Sequence, residues 1–330
     1  MKMSSKVAVI TGGNAGLGLA LAERLLTDDP TIRLCLACRN TGRAEAARNA
    51  LKLSNPNARV DILNLDVGKL SSVYSAAKEI THRYDHVDYL YLNAGVLPGV
   101  KIRWEGLKEI FSRNVVHVLS TGDGLLTTVK QTTEDGLQEV FATNLFGHFV
   151  LVRQLEDFLA RGPRTCQIIW SSSMNASKNN FHLDDIQHEK GFQAYSSSKY
   201  AIDLTSLAIN NRLCHQNVYS HTTSPGFVLT KLTSPIVPNW LWYIILPILS
   251  LLRLFVPSMT IYPYNGAESM FWLSKQRPET LNPCVKYCSG TSLGGTNQVT
   301  AKNMNLDEEL AIKLFQKLCE LEKSLRSNYT

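Results

Sequence analysis

The chain has 330 residues, of which 44% are hydrophobic and 19% are charged, an ordinary composition for a globular protein. Its net charge of +6 is dispersed along the chain, without a long basic run or a nucleic-acid-binding motif, so we expect no nucleic-acid partner. The 8 histidines and 7 cysteines lack the spacing of metal ligands or of a disulfide framework, so we expect no metal site and a reducing compartment.

The start of the chain carries a glycine-rich turn between a predicted strand and a predicted helix. Residues 6–11 are a short, apolar, β-branched run typical of a buried strand, and helical periodicity begins after Gly18. Glycines at such a turn let the backbone approach a pyrophosphate, which the helix N terminus then faces. We therefore predict a dinucleotide site, with a loop of no special purpose as the alternative. Its candidate residues are Thr11, Gly12, Asn14, Gly16, Leu17 and Gly18.

Two charged residues after the next strands bear on which dinucleotide binds. Strand two, predicted at residues 32–38, ends at Arg39, about 20 residues beyond the glycines. An acidic residue there would bind the 2′-hydroxyl of NAD, whereas an arginine accommodates the 2′-phosphate of NADP. Arg39 therefore favours NADPH/NADP+, with help from Arg43, and a solvated loop charge is the alternative. Asp66, after a strand at residues 59–65, either holds the adenine amino group or caps the next helix.

Small residues follow the fourth predicted strand, at residues 87–92. Asn93, Ala94 and Gly95 would let the backbone approach the cofactor, with a plain turn as the alternative. The segment 96–133 is longer than a compact domain of this type uses here, and we interpret it as an insertion beside the active site.

A tyrosine, a lysine and a serine form the predicted reaction centre. Tyr195 and Lys199 lie four positions apart on a predicted helix and so share one face. The ammonium would lower the phenol pKa from about 10, so that Tyr195 can donate a proton near neutral pH. For this pair taken alone, an exposed helix face is the alternative. Ser173, after a strand predicted at residues 167–170, fits best as the catalytic serine, with Ser172 in reserve.

Asn144 lies within an apolar helical pattern that runs from residue 135 to residue 155. A buried asparagine is costly unless it is hydrogen-bonded. Asn144 is therefore either a satisfied core residue or a working polar group. We expect His148, beside it, to be a packed or surface residue rather than a catalyst.

The carboxyl-terminal part begins with a strand predicted at residues 218–223. Pro225, Gly226 and Thr230 follow it, where the backbone and the threonine hydroxyl can hold a nicotinamide carboxamide. Composition then shifts, and residues 232–264 are predicted to be an apolar lid or a membrane-associated segment. A last strand is predicted at 285–288 and an amphipathic helix at 306–326.

The apolar segment is a poor candidate for a membrane-spanning helix. A spanning helix needs about 20 consecutive apolar residues, and Pro247 interrupts the run here. A single crossing would also separate the last strand from its sheet. We therefore predict that residues 236–263 dip into one leaflet, with Trp240, Trp242 and Tyr243 near the headgroups. A soluble apolar lid over the cleft is the alternative.

The motifs T-G-x-x-x-G-x-G, N-A-G, N-x-x-G, Ser, Y-x-x-x-K and P-G, in this order, resemble the short-chain dehydrogenase/reductase superfamily over nearly the whole chain. Leu92 departs from the family pattern, in which an asparagine precedes N-A-G, and the spacing from Ser173 to Tyr195 is long. The resemblance implies one NAD(P)-binding Rossmann domain over residues 1–330. We therefore expect a doubly wound, mostly parallel α/β sheet of about seven strands.

Within the superfamily, the chain looks more similar still to reductases of steroid ketones. This similarity implies NADPH-dependent reduction of a sterol 3-ketone in cholesterol synthesis, with some activity on 17-keto-oestrogens such as estrone. It also implies an endoplasmic reticulum membrane enzyme whose catalytic domain faces the cytosol, and it leaves room for a homodimer. The alternatives are a reductase of retinoids or other lipid carbonyls, and a catalytically silent, membrane-bound lipid-sensing scaffold.

The expected mechanism assigns a role to each polar residue. Ser173 and Tyr195 would bind the substrate and stabilise the charge that grows on its carbonyl oxygen. Tyr195 would deliver the proton, and Lys199 would lower the pKa of Tyr195 and hold the nicotinamide ribose. Asn144 would position a water that reloads the proton.

Overall fold

The structure is a computed structural model that describes residues 5–97, 99–102, 126–162, 164–191, 193–228, 256–326 and 329. Thr230, most of the apolar segment 232–264 and the middle of the predicted insertion lie outside the described residues.

A single large sheet organises the described part of the chain. It has eight strands in the order β10-β9-β8-β7-β4-β1-β2-β3, all parallel except β10, which runs antiparallel to β9. The predicted fold class is confirmed. The strands are β1 Val7–Thr11, β2 Arg33–Cys38, β3 Arg59–Asn64, β4 Tyr89–Leu92, β5 Gly99–Ile102, β6 Leu126–Val129, β7 Cys166–Ser171, β8 Val218–Ser224, β9 Val285–Thr291 and β10 Asn297–Asn303.

The eighth strand of this sheet, β10, has no counterpart among the predicted strands. Its sequence NQVTAKN is polar and mostly exposed, because it forms an edge of the sheet and is reached from β9 by a short turn. A strand of this kind carries no apolar run by which it could be predicted. β5 and β6 are not part of this sheet: they pair antiparallel with each other within the predicted insertion 96–133.

Helices cover both faces of the sheet. One apolar layer lies beneath α3, α4, α5 and α8, and the other beneath α1, α2 and α7. The predicted terminal helix corresponds to α8, which packs against α5. The helices are α1 Gly16–Asp28, α2 Thr41–Ser54, α3 Leu70–Arg83, α4 Gly147–Ala160, α5 Ala194–Leu213, α6 Pro263–Gly266, α7 Glu268–Ser274 and α8 Glu308–Arg326.

The order of the strands reverses at β1. The chain passes from β1 to β2 on one side, whereas β4, β7 and β8 lie on the other side. In open α/β sheets, ligands bind at such a point, outside the carboxyl ends of the strands. The motifs after β1, β4, β7 and β8 therefore meet at one edge of the sheet.

The two described ends of the apolar segment meet beside β8. Val228 and Ile261 form a parallel bridge. The Phe227 amide donates to the Ser258 carbonyl at 2.8 Å, and the Ile261 amide donates to the Phe227 carbonyl at 2.9 Å. The described residues on either side of 229–255 therefore lie next to each other. Among the residues described, no helix has the length and apolar character needed to cross a membrane.

Candidate active site

The glycine-rich turn between β1 and α1 is built on close backbone contact. Gly12 and Gly16 have φ angles of 68° and 54°, in the left-handed region that favours glycine. A Cβ atom on Gly18 would lie 2.5 Å from the Gly12 carbonyl oxygen, and one on Gly12 would lie 3.1 Å from the Ala94 Cα. Side chains at these positions would clash with the backbone, so the glycines allow a tight turn, which we call the cradle, at the N terminus of α1.

Thr11 and Asn93 tie the ends of β1 and β4 together. The Thr11 hydroxyl accepts hydrogen bonds from the Asn93 and Ala94 amides, both at 2.9 Å. The Asn93 side chain donates to the Thr11 carbonyl at 3.0 Å. Both side chains thus shape the floor of the cradle through strand-to-strand contacts. Asn14 and Leu17 are half-buried in the turn itself.

Arg39 and Asp66 lie together at the ends of β2 and β3. Arg39 Nη1 lies 3.8 Å from Asp66 Oδ2. The Arg39 side chain is 74% exposed, so its guanidinium is available to an anion from solvent. Asp66 Oδ1 accepts from the Gly68 amide at 3.0 Å. This turn contact precedes α3 and does not cap it, because the Leu70 amide at the start of that helix is bound by Asp135 at 2.9 Å. The Asp66 side chain therefore does not cap α3, and its contact with an adenine amino group stays a prediction.

Pro225 and Gly226 lie where β8 ends. Gly226 has a φ angle of 73°, and a Cβ atom there would be 2.3 Å from the Ser258 carbonyl oxygen. The Thr260 hydroxyl donates to the Pro225 carbonyl at 2.8 Å. This loop is therefore fixed against the described carboxyl-terminal end of the apolar segment 232–264.

Asn144 lies in a π-helical segment, Ala142–Phe146, which follows the helical turn Glu139–Phe141 and leads into α4. Its side chain is buried and fully engaged. Asn144 Oδ1 accepts from the Val96 amide at 2.8 Å, and Nδ2 donates to the Val96 carbonyl at 3.1 Å and to the Ser198 hydroxyl at 3.2 Å. Asn144 therefore joins the loop after β4 to α5, beside the reaction centre.

Gly147, the glycine of the N-x-x-G motif, allows this close packing. A Cβ atom there would lie only 1.8 Å from the Val67 carbonyl oxygen. The motif therefore lets the π-helical segment lie directly against the backbone after β3.

Ser173 and Ser172 point to different environments. Ser172 is buried, and its hydroxyl donates to the Lys199 carbonyl at 3.2 Å. Ser173 is half-buried, and its hydroxyl accepts from the Asn175 amide at 3.1 Å and lies near enough to the Tyr195 phenol to influence its pKa. Ser173 is thus the serine beside the phenol, whereas Ser172 packs against α5.

Tyr195 and Lys199 share one face of α5. The Lys199 ammonium lies 5.4 Å from the centre of the Tyr195 ring and donates to the Ser171 carbonyl at 2.6 Å. Burial raises the pKa of Tyr195, and the Ser173 hydrogen bond opposes this effect only in part. The lowering of this pKa that we expected from Lys199 is absent, because the phenol loses hydration and the lysine is turned to a backbone carbonyl. Burial in turn lowers the pKa of Lys199 to about 8.

Three further polar residues surround this centre, and their importance could not be read from the sequence. His148 is fully buried, with Nε2 at 2.9 Å from the Thr11 hydroxyl and Nδ1 at 3.3 Å from the Asn144 carbonyl. It is packed, as predicted, and burial lowers its pKa to about 4. Asp203 and Lys286 form a buried ion pair next to Ser173. None of the three belongs to a motif that would single it out.

A family model described as short chain dehydrogenase matches residues 6–239. A curated relative from Rattus norvegicus, named 3-keto-steroid reductase/17-beta-hydroxysteroid dehydrogenase 7, is 50% identical over 97% of this chain and 96% of its own length. A relative of the same name from Homo sapiens is 48% identical over 97% of this chain and 94% of its own. The chain therefore belongs to the short-chain dehydrogenase family and is an oxidoreductase.

A solved structure shows the same fold at low identity. The L-sorbose reductase from Gluconobacter frateurii, solved with NADPH and L-sorbose, has a TM-score of 0.60 and 20% identity over 87% of this chain and 96% of its own. In the present chain, the tight glycine turn at the N terminus of α1 suits the pyrophosphate of a nicotinamide dinucleotide.

Proposed function

We propose that this chain is an NADPH-dependent reductase of a sterol 3-ketone, with 17-keto-oestrogens as further substrates. The observation that carries the proposal is the hydroxyl pair of Ser173 and Tyr195, which lies with Lys199 at the same edge of the sheet as the glycine cradle. The family defines the kind of chemistry. The names of the two mammalian relatives, which share about half of the residues along the whole chain, supply the substrate class.

The chemistry follows from where charge develops. The nicotinamide cofactor, when bound, supplies the hydride. Negative charge then grows on the ketone oxygen, and the Ser173 and Tyr195 hydroxyls stabilise it as hydrogen-bond donors. The raised pKa of Tyr195 keeps the phenol protonated at neutral pH, which is the state that a proton donor requires. Lys199, fixed on the Ser171 carbonyl, places a positive charge beneath the phenol and would hold the ribose.

Two residues suit the proposed choice of NADPH. Arg39 is exposed at the end of β2 and can turn its guanidinium to a 2′-phosphate. Arg43 lies in the first turn of α2, close to the same edge. Asp66, within reach of Arg39, would orient the guanidinium or accept from the adenine amino group. In this proposal, Pro225, Gly226 and Thr230 lie at the nicotinamide end of the cofactor.

We propose the endoplasmic reticulum membrane, with the catalytic domain in the cytosol, as the location. Of the predicted segment 236–263, the part before Ser258 would lie in one leaflet and admit the sterol from the bilayer, whereas Ser258, Thr260 and Ile261 are bonded to the loop after β8. The bridge between Val228 and Ile261 supports this topology, because a chain that leaves and returns at adjacent positions cannot cross the membrane once and still complete the sheet. Protease protection of sealed microsomes tests it: tags at residues 1 and 330 should both be digested from outside. A protected tag at residue 330 would overturn the proposal.

The decisive experiment is a turnover assay of the detergent-solubilised full-length chain. NADPH oxidation with a 3-keto sterol should yield the 3-hydroxy sterol, and Tyr195→Phe should slow it by about 100-fold or more. Turnover of retinal or another lipid carbonyl, without turnover of the sterol, would assign the chain to the alternative class of reductase. Nucleotide binding without turnover of any carbonyl would favour the scaffold. A homodimer remains a prediction, which light scattering of the same preparation would test.

A further inference from the structure

Lys286 is an ammonium group buried behind the reaction centre. It lies near the start of β9 and is only 4% exposed. Its Nζ atom donates to Asp203 Oδ2 and to the Ser173 carbonyl, both at 2.7 Å. A buried ammonium is expensive unless it is paired and hydrogen-bonded. One of these two hydrogen-bond acceptors is the backbone carbonyl of Ser173, the serine whose hydroxyl faces Tyr195.

Asp203 connects Lys286 to the catalytic helix. It lies on α5, one helical turn beyond Lys199, and is 2% exposed. Two ammonium groups, Lys199 and Lys286, therefore lie near a single buried carboxylate. The direct ion pair is made by Lys286, whereas Lys199 donates to the Ser171 carbonyl. Among the residues that the structure describes, Lys199 therefore has no ion-pair partner of its own.

We propose that Lys286 is a positioning residue of the reaction centre: it anchors the Ser173 carbonyl and takes the Asp203 carboxylate, and so fixes both the serine hydroxyl and the charge of Lys199 beside Tyr195. This inference rests on the proposed function. It concerns residues from β7, α5 and β9 that no motif connects. Truncation of Lys286 should therefore act on catalysis although its side chain reaches neither the substrate nor the cofactor.

The charge of Lys199 depends on every titratable group that faces it. On its own helix these are Tyr195 and Asp203, Lys286 faces it from β9, and His148 faces it from α4. Burial lowers the pKa of Lys199 to about 8, Asp203 opposes this effect, and Lys286 adds to it. Burial lowers the pKa of His148 to about 4, so His148 is neutral near pH 7 and places no charge beside Lys199.

Opposite shifts follow for the two members of the ion pair. In Lys286→Met the repulsion between the two ammonium groups disappears, and the Asp203 carboxylate then interacts with Lys199 alone. The Lys199 pKa should therefore rise by about 1. In Asp203→Asn the attraction disappears, so the same pKa should fall by about 1. A purely structural role would destabilise both variants but would not move this pKa in opposite directions.

Two measurements on the full-length chain test the inference. The Lys199 pKa is measured directly by ¹³C NMR titration of protein labelled with [6-¹³C]lysine, with Lys199→Met to assign the signal. Turnover of the 3-keto sterol with NADPH is then measured against pH. Lys286→Met should lower kcat by about tenfold, leave the KM for NADPH unchanged, and raise the pH at which activity is lost. The control is Lys302→Met, because Lys302 is the exposed cross-strand partner of Lys286 on β10 and should alter none of these values.

A double variant keeps the test decisive if the single variants fail to fold. Lys286→Met with Asp203→Asn removes the unpaired buried charge and should fold. Its Lys199 pKa should lie near the wild-type value, since both influences are gone, while its kcat stays low because Ser173 has lost its anchor. Wild-type kcat in the double variant, or an unchanged Lys199 pKa in Lys286→Met, would overturn the inference. A wild-type chain that does not reduce the sterol would overturn the proposed function, while the NMR titration would still decide the role of Lys286.

Discussion

The cradle after β1 and the reaction centre between β7, α5 and β9 are neighbours, but they are held together by different forces. At the cradle, glycines let backbone atoms approach one another, and an added Cβ at Gly18 would lie 2.5 Å from a carbonyl oxygen. At the reaction centre, Lys199, Asp203 and Lys286 are buried charges whose partners lie on different elements. The cradle should therefore respond to a change in volume, and the reaction centre to a change in charge or to a lost hydrogen bond.

The largest expected effect follows from removing a single oxygen atom at the reaction centre. Tyr195→Phe removes the proton donor and should lower kcat by about 100-fold or more, the usual size of acid–base catalysis, while NADPH binding remains. The control is Tyr200→Phe on the same helix, whose buried hydroxyl has no hydrogen-bond partner in the described part of the chain. Steady-state kinetics and NADPH fluorescence separate the two effects. Near-full activity of Tyr195→Phe would show that another group donates the proton.

The next prediction concerns the side-chain volume that the cradle tolerates. Gly18→Ala places a methyl group against the Gly12 carbonyl oxygen and the Asn93 side chain. Such overpacking costs about 1–3 kcal/mol, so the Kd for NADPH should rise by roughly fivefold to 150-fold. In Gly42→Ala, the matched change in α2, the nearest atom would be 3.6 Å away, and binding should be unaffected. Equal Kd values for the two variants, measured by titration calorimetry, would contradict the steric account.

A smaller effect concerns charge at the edge of the cradle. Arg39→Asp removes the partner of a 2′-phosphate and offers an acceptor to a 2′-hydroxyl, so the ratio of kcat/KM for NADPH over NADH should fall by about tenfold or more. Arg59→Asp makes the same charge change at the opposite edge of the sheet, where β3 begins, and should leave the ratio unchanged. An unaltered ratio in Arg39→Asp would mean that Arg39 is only a loop charge.

The effect with the least consequence for activity at neutral pH is a loss of stability in acid. Burial lowers the pKa values of His148 and His221 to about 4, from an ordinary value of 6.5. Between pH 6.5 and pH 4 the unfolded chain therefore binds these protons first, and the free energy of unfolding falls as the pH falls, by up to about 1.4 kcal/mol per pH unit for each histidine.

Urea unfolding between pH 4 and pH 7 measures this slope. His221→Gln, in β8, should reduce the slope without changing the active site. The control is His82→Gln, because an exposed imidazole on α3 loses little hydration on folding. An identical slope in wild type and His221→Gln would show that this imidazole does not resist protonation in the folded chain.

Local pattern was enough to predict most of the sheet. Each of the seven parallel strands of the large sheet has a predicted counterpart, and β1 was predicted as a short apolar run because strands buried on both faces are rich in apolar residues. β10 was missed because an exposed edge strand needs no apolar residues. The predicted lowering of the Tyr195 pKa was wrong because spacing on a helix reports neither burial nor the partner that the lysine selects.

The sequence by itself determined the features that depend on neighbouring residues. These are the strand–glycine–helix turn at Gly12 to Gly18, the shared helix face of Tyr195 and Lys199, and the exposed arginine after β2. Each follows from φ angles, helical periodicity or position along one strand, and such properties are set within a few residues of the chain.

Only the tertiary structure decided which polar groups meet. It brought Ser173 rather than Ser172 to the phenol, joined Lys286 to Asp203 across 83 positions of the chain, and placed His148 between Thr11 and Asn144. These contacts link elements that are distant in sequence, and their strength comes from the loss of water around them. Both conditions exist only after the sheet and its covering helices have packed.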